Sequence, residues 1–438
     1  MNKFLSRIDF FLLLSVLLLT VTGILFIYSS GFNSDGVLVT NEYIKQIIWA
    51  SVGTVIMILI AELDYRKTYR YAPYFYIAIL AILIYTRLFG RYVNGAKSWL
   101  GVGNLGVQPS EIAKIFYILF FAWYLERSQK EEPLKRFLVS LAIMAGPFGL
   151  ILIQPDLGTA SVYIPIFLFM CFMADLPIRY LVLVLATGLS AIVFTVLPIW
   201  ETEIIKADIP IINVLTNTKL LILVIAACAL ITVIGVMGYV FFKKKYYYWI
   251  SFVFGIITVA LIGSIAAGKV LKPYQIQRLI IFLDPNSDPR GSGWNIIQSK
   301  IAIGSGNLFG RGFKMGTQSH YRFLPQQSTD FIFSIFSEET GFIGGILLFT
   351  VFLGIFMRTI GIIRNTTNMY GYFICSGILG MFFFHFMENV GMVMGVMPIT
   401  GIPLPFLSYG GSSLITNMTA IGLLMSVNAR KLDFNLGI

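Results

Sequence analysis

Long apolar runs recur along the whole chain, and no other feature constrains its fold as much. Crossing the hydrocarbon of a bilayer as a helix takes about 20 apolar residues. Runs of that kind fall near 9–29, 44–62, 70–88, 110–126, 136–153, 158–174, 178–198, 218–242, 247–267, 331–356, 369–391 and 408–428. They predict an all-α polytopic membrane protein of about twelve transmembrane helices, and an even number puts both termini on one side. Composition agrees: 57% of the 438 residues are AVILMFWYC, 12% are charged and the mean hydropathy is +0.82. A soluble domain carries about 25% charged residues.

The start, Met1–Asp9, has charges before its apolar run and no small-residue cleavage site after it, so it reads as a retained span. Cys171, Cys228 and Cys375 lie in apolar runs without CxxC spacing, which indicates neither a disulfide framework nor a zinc site. The net charge of +11 points to anionic headgroups; a nucleic-acid role lacks any motif. Lys and Arg in short loops choose the orientation. With Met1 in the cytoplasm, seventeen of them fall inside, among them Lys3, Arg7 and Lys431, against six outside, among them Lys97 and Lys206. Both termini and the Lys243–Lys245 turn are therefore expected in the cytoplasm.

Residues 268–330 form an external segment too long for a plain connector. It holds Lys269, Lys272, Arg278, Arg290, Lys300, Arg311, Lys314 and Arg322 against Asp284, Asp288 and Asp330, with seven glycines from 291 to 316. Trp294–Ile303 is apolar enough to lie on the membrane or re-enter it. A basic, Gly-rich loop suits an anionic ligand such as a phosphate; attraction to lipid headgroups explains the charge equally well.

The run from Asp284 to Gly306, DPNSDPRGSGWNIIQSKIAIGSG, is followed by GTQSHYRFLPQQSTDFIFSIFSEETG at 316–341. With GAKSWLGVGNLGVQPSEIAK at 95–114, QPDLGTA at 154–160 and PITGIPLPFLSYGGSS at 398–413, these runs resemble the SEDS (shape, elongation, division, sporulation) family. The resemblance covers almost the whole chain, read as a single membrane domain. Thr400 and Pro403 match its elongation branch rather than its division branch. It implies a ten-helix core, so that 199–267 contains one additional helical pair. It also implies a peptidoglycan glycosyltransferase that polymerises lipid II at the outer face of the cytoplasmic membrane. The implied partners are a class B penicillin-binding protein and other elongation-complex proteins. One departure is QQSTD at 326–330, where Ser328 stands in place of a family His.

Glycosyl transfer from a lipid pyrophosphate needs a base for the acceptor hydroxyl and cationic groups or a metal at the leaving pyrophosphate. By position Asp330 reads as the cap of a helix it begins; the resemblance puts the family's catalytic Asp there. Glu111 and Lys114, three apart, share a helix face. They read either as a structural ion pair or as lining of the lipid II cavity. Gln108-Pro109-Ser110 reads as the helix start. Trp99 reads as an interfacial anchor, and the resemblance makes it, with Lys97, a sugar or pyrophosphate contact. Asp156 reads as a cap or as part of the substrate site. Lys300 and Gln318 in the external loop, and Ser408 where SYGGSS opens the last helix, complete the expected substrate-binding set. No cofactor is required by a motif, although a divalent cation (Mg or Mn) held by Asp330 and Asp156 would suit the chemistry. His385 and Glu388 read as a buried structural pair. No GxSxG elbow and no Walker A motif occur. The rival readings are a lipid II flippase and a non-catalytic scaffold. A flippase needs polar groups through the whole depth, whereas here charges and motifs concentrate in external segments.

Overall fold

A computed structural model describes all residues except 1–7, 94–95, 103–104, 206, 208, 211, 271–272, 289–290, 322, 325 and 431–438. The expectations on Lys3, Arg7, Lys206, Lys272, Arg290, Arg322 and Lys431 therefore lie outside the described residues. In chain order the helices begin with α1 (Phe10–Ser29), α2 (Glu42–Glu62) and α3 (Thr68–Phe89). Strands β1 (Arg91–Val93), β2 (Ala96–Val102) and β3 (Leu105–Val107) follow. Then come α4 (Pro109–Arg127), α5 (Pro133–Ile153), α6 (Leu157–Ser161), α7 (Tyr163–Met173), α8 (Ile178–Trp200) and α9 (Asn213–Thr216). The chain continues through α10 (Thr218–Phe242), α11 (Lys245–Val270), α12 (Pro273–Leu283), α13 (Ser292–Ser305) and α14 (Thr317–His320). It ends with α15 (Ile332–Asn365), α16 (Met369–Val393) and α17 (Gly411–Ala429).

Nine helices among the described residues are long and apolar enough to cross a membrane. Three further elements fall on the remaining expected runs: α4, the α6–α7 stretch Leu157–Met173, and α17. The protein is an all-α polytopic membrane protein, with one small departure. Between α3 and α4, where no span is expected, the three strands form an antiparallel sheet of order β1-β2-β3, with Arg91 opposite Trp99 and Leu100 opposite Val107.

The chain divides into two compact units, Met1–Asp175 with Trp294–Ile438, and Leu176–Gly293. In the first, α16 is the central helix, largely buried along its length. Small residues let its neighbours approach: a Cβ on Gly377 would meet Ile118 and Met170, and one on Gly380 would meet Phe169. The α2–α17 pair packs likewise, Gly53 against Met418 and Gly422 against the Met57 carbonyl.

Helix α15 is interrupted at Gly341, whose φ of 70° and ψ of −164° are not helical. Backbone groups freed inside a membrane must be satisfied by protein, and the 306–312 segment does this. Arg311 and Gly312 donate their N–H groups to the carbonyls of Glu338 and Glu339, while Phe342 and Ile343 donate to those of Asn307 and Leu308. In the second unit, α10 and α11 form an antiparallel pair, with Gly235 against Ser251 and Gly238 against Tyr247.

Candidate functional site

The site residues of the first unit sit at helix ends. Glu111 and Lys114 lie in the first two turns of α4, Asp156 follows α5, Asp330 precedes α15, Glu388 and Asn389 lie near the end of α16, and Ser408 precedes α17. Consecutive spans alternate in direction, so these ends can share one side of the bundle. The hydrogen bonds show which of them meet.

On α4 the helix begins at Pro109, with Gln108 at the N-cap. Three-residue spacing puts Glu111 and Lys114 on one face, and Lys114 Nζ donates to Glu111 Oε2 at 2.9 Å. Lys114 has no exposed surface and Glu111 is 4% exposed. His385 from α16 completes the cluster, with Nε2 3.0 Å from Lys114 Nζ and Nδ1 2.7 Å from the Met381 carbonyl. A carbonyl only accepts, so Nδ1 carries the proton and Nε2 accepts from the ammonium. The expected His385–Glu388 pair is therefore not formed as read. Glu388 Oε1 instead accepts from Thr400 Oγ1 at 2.7 Å.

Gln108 turns its side chain away from α4, and Nε2 donates to Asp156 Oδ2 at 2.7 Å. Asp156 is the N-cap of α6, accepting from Thr159 N at 3.1 Å and Thr159 Oγ1 at 3.0 Å. Burial lifts its carboxyl above the ordinary carboxylate range; the Thr159 and Gln108 hydrogen bonds oppose the lift and Glu111 adds to it. Two residues on, Gly158 sits so close to the Thr400 carbonyl that a Cβ would lie 2.6 Å from it. QPDLG and PITGIPL thus pack backbone to backbone.

Asp330 does not begin α15. Phe331 holds the N-cap position, and Asp330 lies in the turn before it. The turn is tied down from several sides. The Asp330 carbonyl accepts from Asn389 Nδ2 at 3.0 Å, the Ser328 carbonyl from Tyr409 N at 2.8 Å, and the Thr329 carbonyl from Ser408 Oγ at 2.6 Å. Ser328 Oγ donates to Glu42 Oε2 at 2.5 Å, which is what Ser328 does here. Ser408 lies three residues before α17, in the loop rather than at the helix start, and its Oγ also accepts from Leu404 N.

The remaining expected residues are held locally. Lys97 Nζ donates to the Leu88 carbonyl at 2.6 Å, and the half-buried Trp99 ring covers Gly106. Lys300 on α13 is exposed and runs along Gly395, past the C-terminal end of α16. The Gln318 backbone N–H donates to Glu338 at 3.1 Å.

Glu338 and Glu339 were missed from the sequence. Glu338, with no exposed surface, accepts from Thr317 N at 2.8 Å and Thr317 Oγ1 at 3.0 Å. Glu339 accepts from Ser29 Oγ at 2.5 Å and Lys314 N at 3.0 Å. Lys314 Nζ lies 4.4 Å from the Tyr28 ring centroid and 4.0 Å from that of Phe32. An acidic pair within an apolar span was the available signal, since intramembrane charges are rare and partnered. Among the described residues no three His, Cys, Asp or Glu side chains group as a metal set. Asp156 already spends its oxygens inside the protein.

The profile of the FtsW/RodA/SpoVE family, described as a cell cycle protein, matches residues 10–205 and 200–432. The chain is 53% identical over 427 residues to the peptidoglycan glycosyltransferase RodA of Treponema pallidum, covering 98% of this chain and 99% of that one. It is 32% identical to the peptidoglycan glycosyltransferase MrdB of Escherichia coli K12, covering 97% and 94%. Among solved structures it resembles one titled as the structural coordination of polymerization and crosslinking by a peptidoglycan synthase complex. The TM-score there is 0.66, with 24% identity and coverage of 97% and 98%. It also resembles the rod shape determining protein RodA of Thermus thermophilus, with TM-score 0.59, 22% identity and 97% of both chains covered. These matches run through nearly every residue that builds the site, and the chain belongs to the FtsW/RodA/SpoVE family of cell cycle proteins, the SEDS family whose motifs it carries.

Proposed function

We propose that this protein is a peptidoglycan glycosyltransferase that joins lipid II disaccharide units into glycan strands at the outer face of the cytoplasmic membrane, with Asp330 as general base. The observation that carries this reading is the convergence on one turn. Residues 328–330 bond to α16, to the 404–410 loop and to Glu42, one turn along α16 from the His385–Lys114–Glu111 cluster. Relatives at 53% and 32% identity named as peptidoglycan glycosyltransferases support the activity.

In the reaction the acceptor hydroxyl oxygen forms a bond to the anomeric carbon of the donor, and its proton passes to the Asp330 carboxylate. The bond from that carbon to the pyrophosphate breaks, and its electron pair leaves on the lipid pyrophosphate. Attack from the opposite face inverts the centre. The pyrophosphate needs cationic stabilisation. Lys114, Lys97 and Lys300 are the lysines of the proposed substrate set; Gln108, Glu111, Asp156, Gln318, Ser408 and Trp99 supply the polar and stacking contacts. Of the two carboxylates expected to hold a divalent cation, Asp330 stays the candidate ligand, because both Asp156 oxygens already accept from Thr159 and Gln108.

A class B penicillin-binding protein is the proposed partner, supported by the likeness to a complex titled for polymerization and crosslinking. The charge count supports cytoplasmic termini, and α10–α11 is the pair beyond the ten-helix core. The test is whether the purified chain, with such a partner, extends lipid II into glycan. Transbilayer movement of lipid II without chain extension would replace this reading with that of a flippase.

A further inference from the structure

Asn389 has no exposed surface. Its Nδ2 donates to the Asp330 carbonyl at 3.0 Å and to the Ile402 carbonyl at 2.8 Å. Backbone carbonyls only accept, so both N–H groups of the amide are used and its orientation is settled by chemistry. Its oxygen therefore faces the other way. Oδ1 is buried and has no partner among the described residues. Buried polar atoms nearly always have one, and an amide oxygen accepts only a donor.

We propose that Asn389 both positions Asp330 and contacts the substrate. Nδ2 fixes the Asp330 turn to the Ile402 segment, and Oδ1 accepts a hydrogen bond from a hydroxyl or acetamido N–H of the bound amino sugar. The chemistry selects the sugar over the pyrophosphate, because an ionised phosphate offers acceptors and no donor. The neighbours agree with that division. One turn back along α16, His385 accepts from the Lys114 ammonium, the kind of group that meets an anion. The proposal rests on the reading of Asp330 as the base.

The test uses the full chain with its partner transpeptidase and varies lipid II. Asn389→Leu removes the donors and the acceptor at similar volume. Asn389→Asp keeps an acceptor but turns an oxygen toward two carbonyls. We expect the Leu variant to lose about 10- to 100-fold in kcat/KM with KM raised. The Asp variant should lose kcat while KM stays near the parent value. A Leu variant with KM and kcat within about twofold of the parent overturns the proposal and leaves Oδ1 to water. A fall in kcat without a rise in KM overturns the substrate contact. If the Leu variant does not fold, Asn389→Ser is read by the same two criteria. Asp330→Asn is run in parallel. Full activity there sinks the base reading, whereas a raised KM in the Asn389 variants still stands.

Discussion

The ammonium of Lys114 lies 2.9 Å from Glu111 Oε2 and 3.0 Å from His385 Nε2, with neither the lysine nor the histidine exposed. One cation, one carboxylate and one neutral imidazole leave the cluster without net charge, so it can persist in a low-dielectric interior.

Removing one partner should therefore be worse than removing two. Lys114→Met strands the Glu111 carboxylate and should cost about 3–5 kcal/mol. The double variant Glu111→Gln, Lys114→Met should recover much of that in thermal unfolding. If the double variant also polymerises lipid II normally, the pair is neither a binding site nor needed support.

Asp330→Asn keeps the side-chain shape and loses the charge. Loss of a positioned base should slow polymerisation by about 10²–10⁴. Asn serves helix-start hydrogen bonds about as well as Asp, so little loss of stability is expected to accompany the change. Retained polymerisation in a folded variant removes Asp330 from the proposed role.

Burial raises the Asp156 carboxyl above its ordinary value, so the folded state holds that proton more tightly than the unfolded chain. The associated stability is complete below the unfolded value of about 3.9 and is lost as pH rises through the raised folded value. Asp156→Asn keeps an N-cap acceptor and does not ionise. Measured against the parent, its melting temperature should gain as pH rises from 4 toward 7. A difference flat across that range would contradict the assignment.

Gly341 has a φ of 70°, and a Cβ there would lie 2.2 Å from the Gly310 amide nitrogen. Gly341→Ala should destabilise by at least about 2 kcal/mol, from backbone strain and overpacking together. It should also loosen the 306–318 segment, speeding tryptic cleavage after Arg311 and Lys314. Unchanged cleavage would mean that the break does not hold this segment.

Orientation is testable directly. A cysteine at position 244, in the turn between α10 and α11, should resist an impermeant thiol reagent added to sealed cells. Labelling from outside refutes the orientation read from the charges.

Span positions were legible because the requirement they meet is local: a run long and apolar enough to cross a membrane can be read in one window. The Glu111–Lys114 pairing was legible for the same reason, since three-residue spacing sets a shared face. So was the family, because long motifs in order are linear patterns. Other relationships needed the fold. His385 reaches Lys114 across 271 residues, Asn389 reaches Asp330 across 59, and Glu388 turns to Thr400 rather than to its near neighbour on α16. The Gly341 break hid inside a continuous apolar run, because its freed backbone groups are satisfied by a segment thirty residues upstream. Apolar patterning states which residues enter the membrane. Which buried polar groups then find one another depends on how the helices pack, since each must take a partner from whatever neighbour the packing supplies.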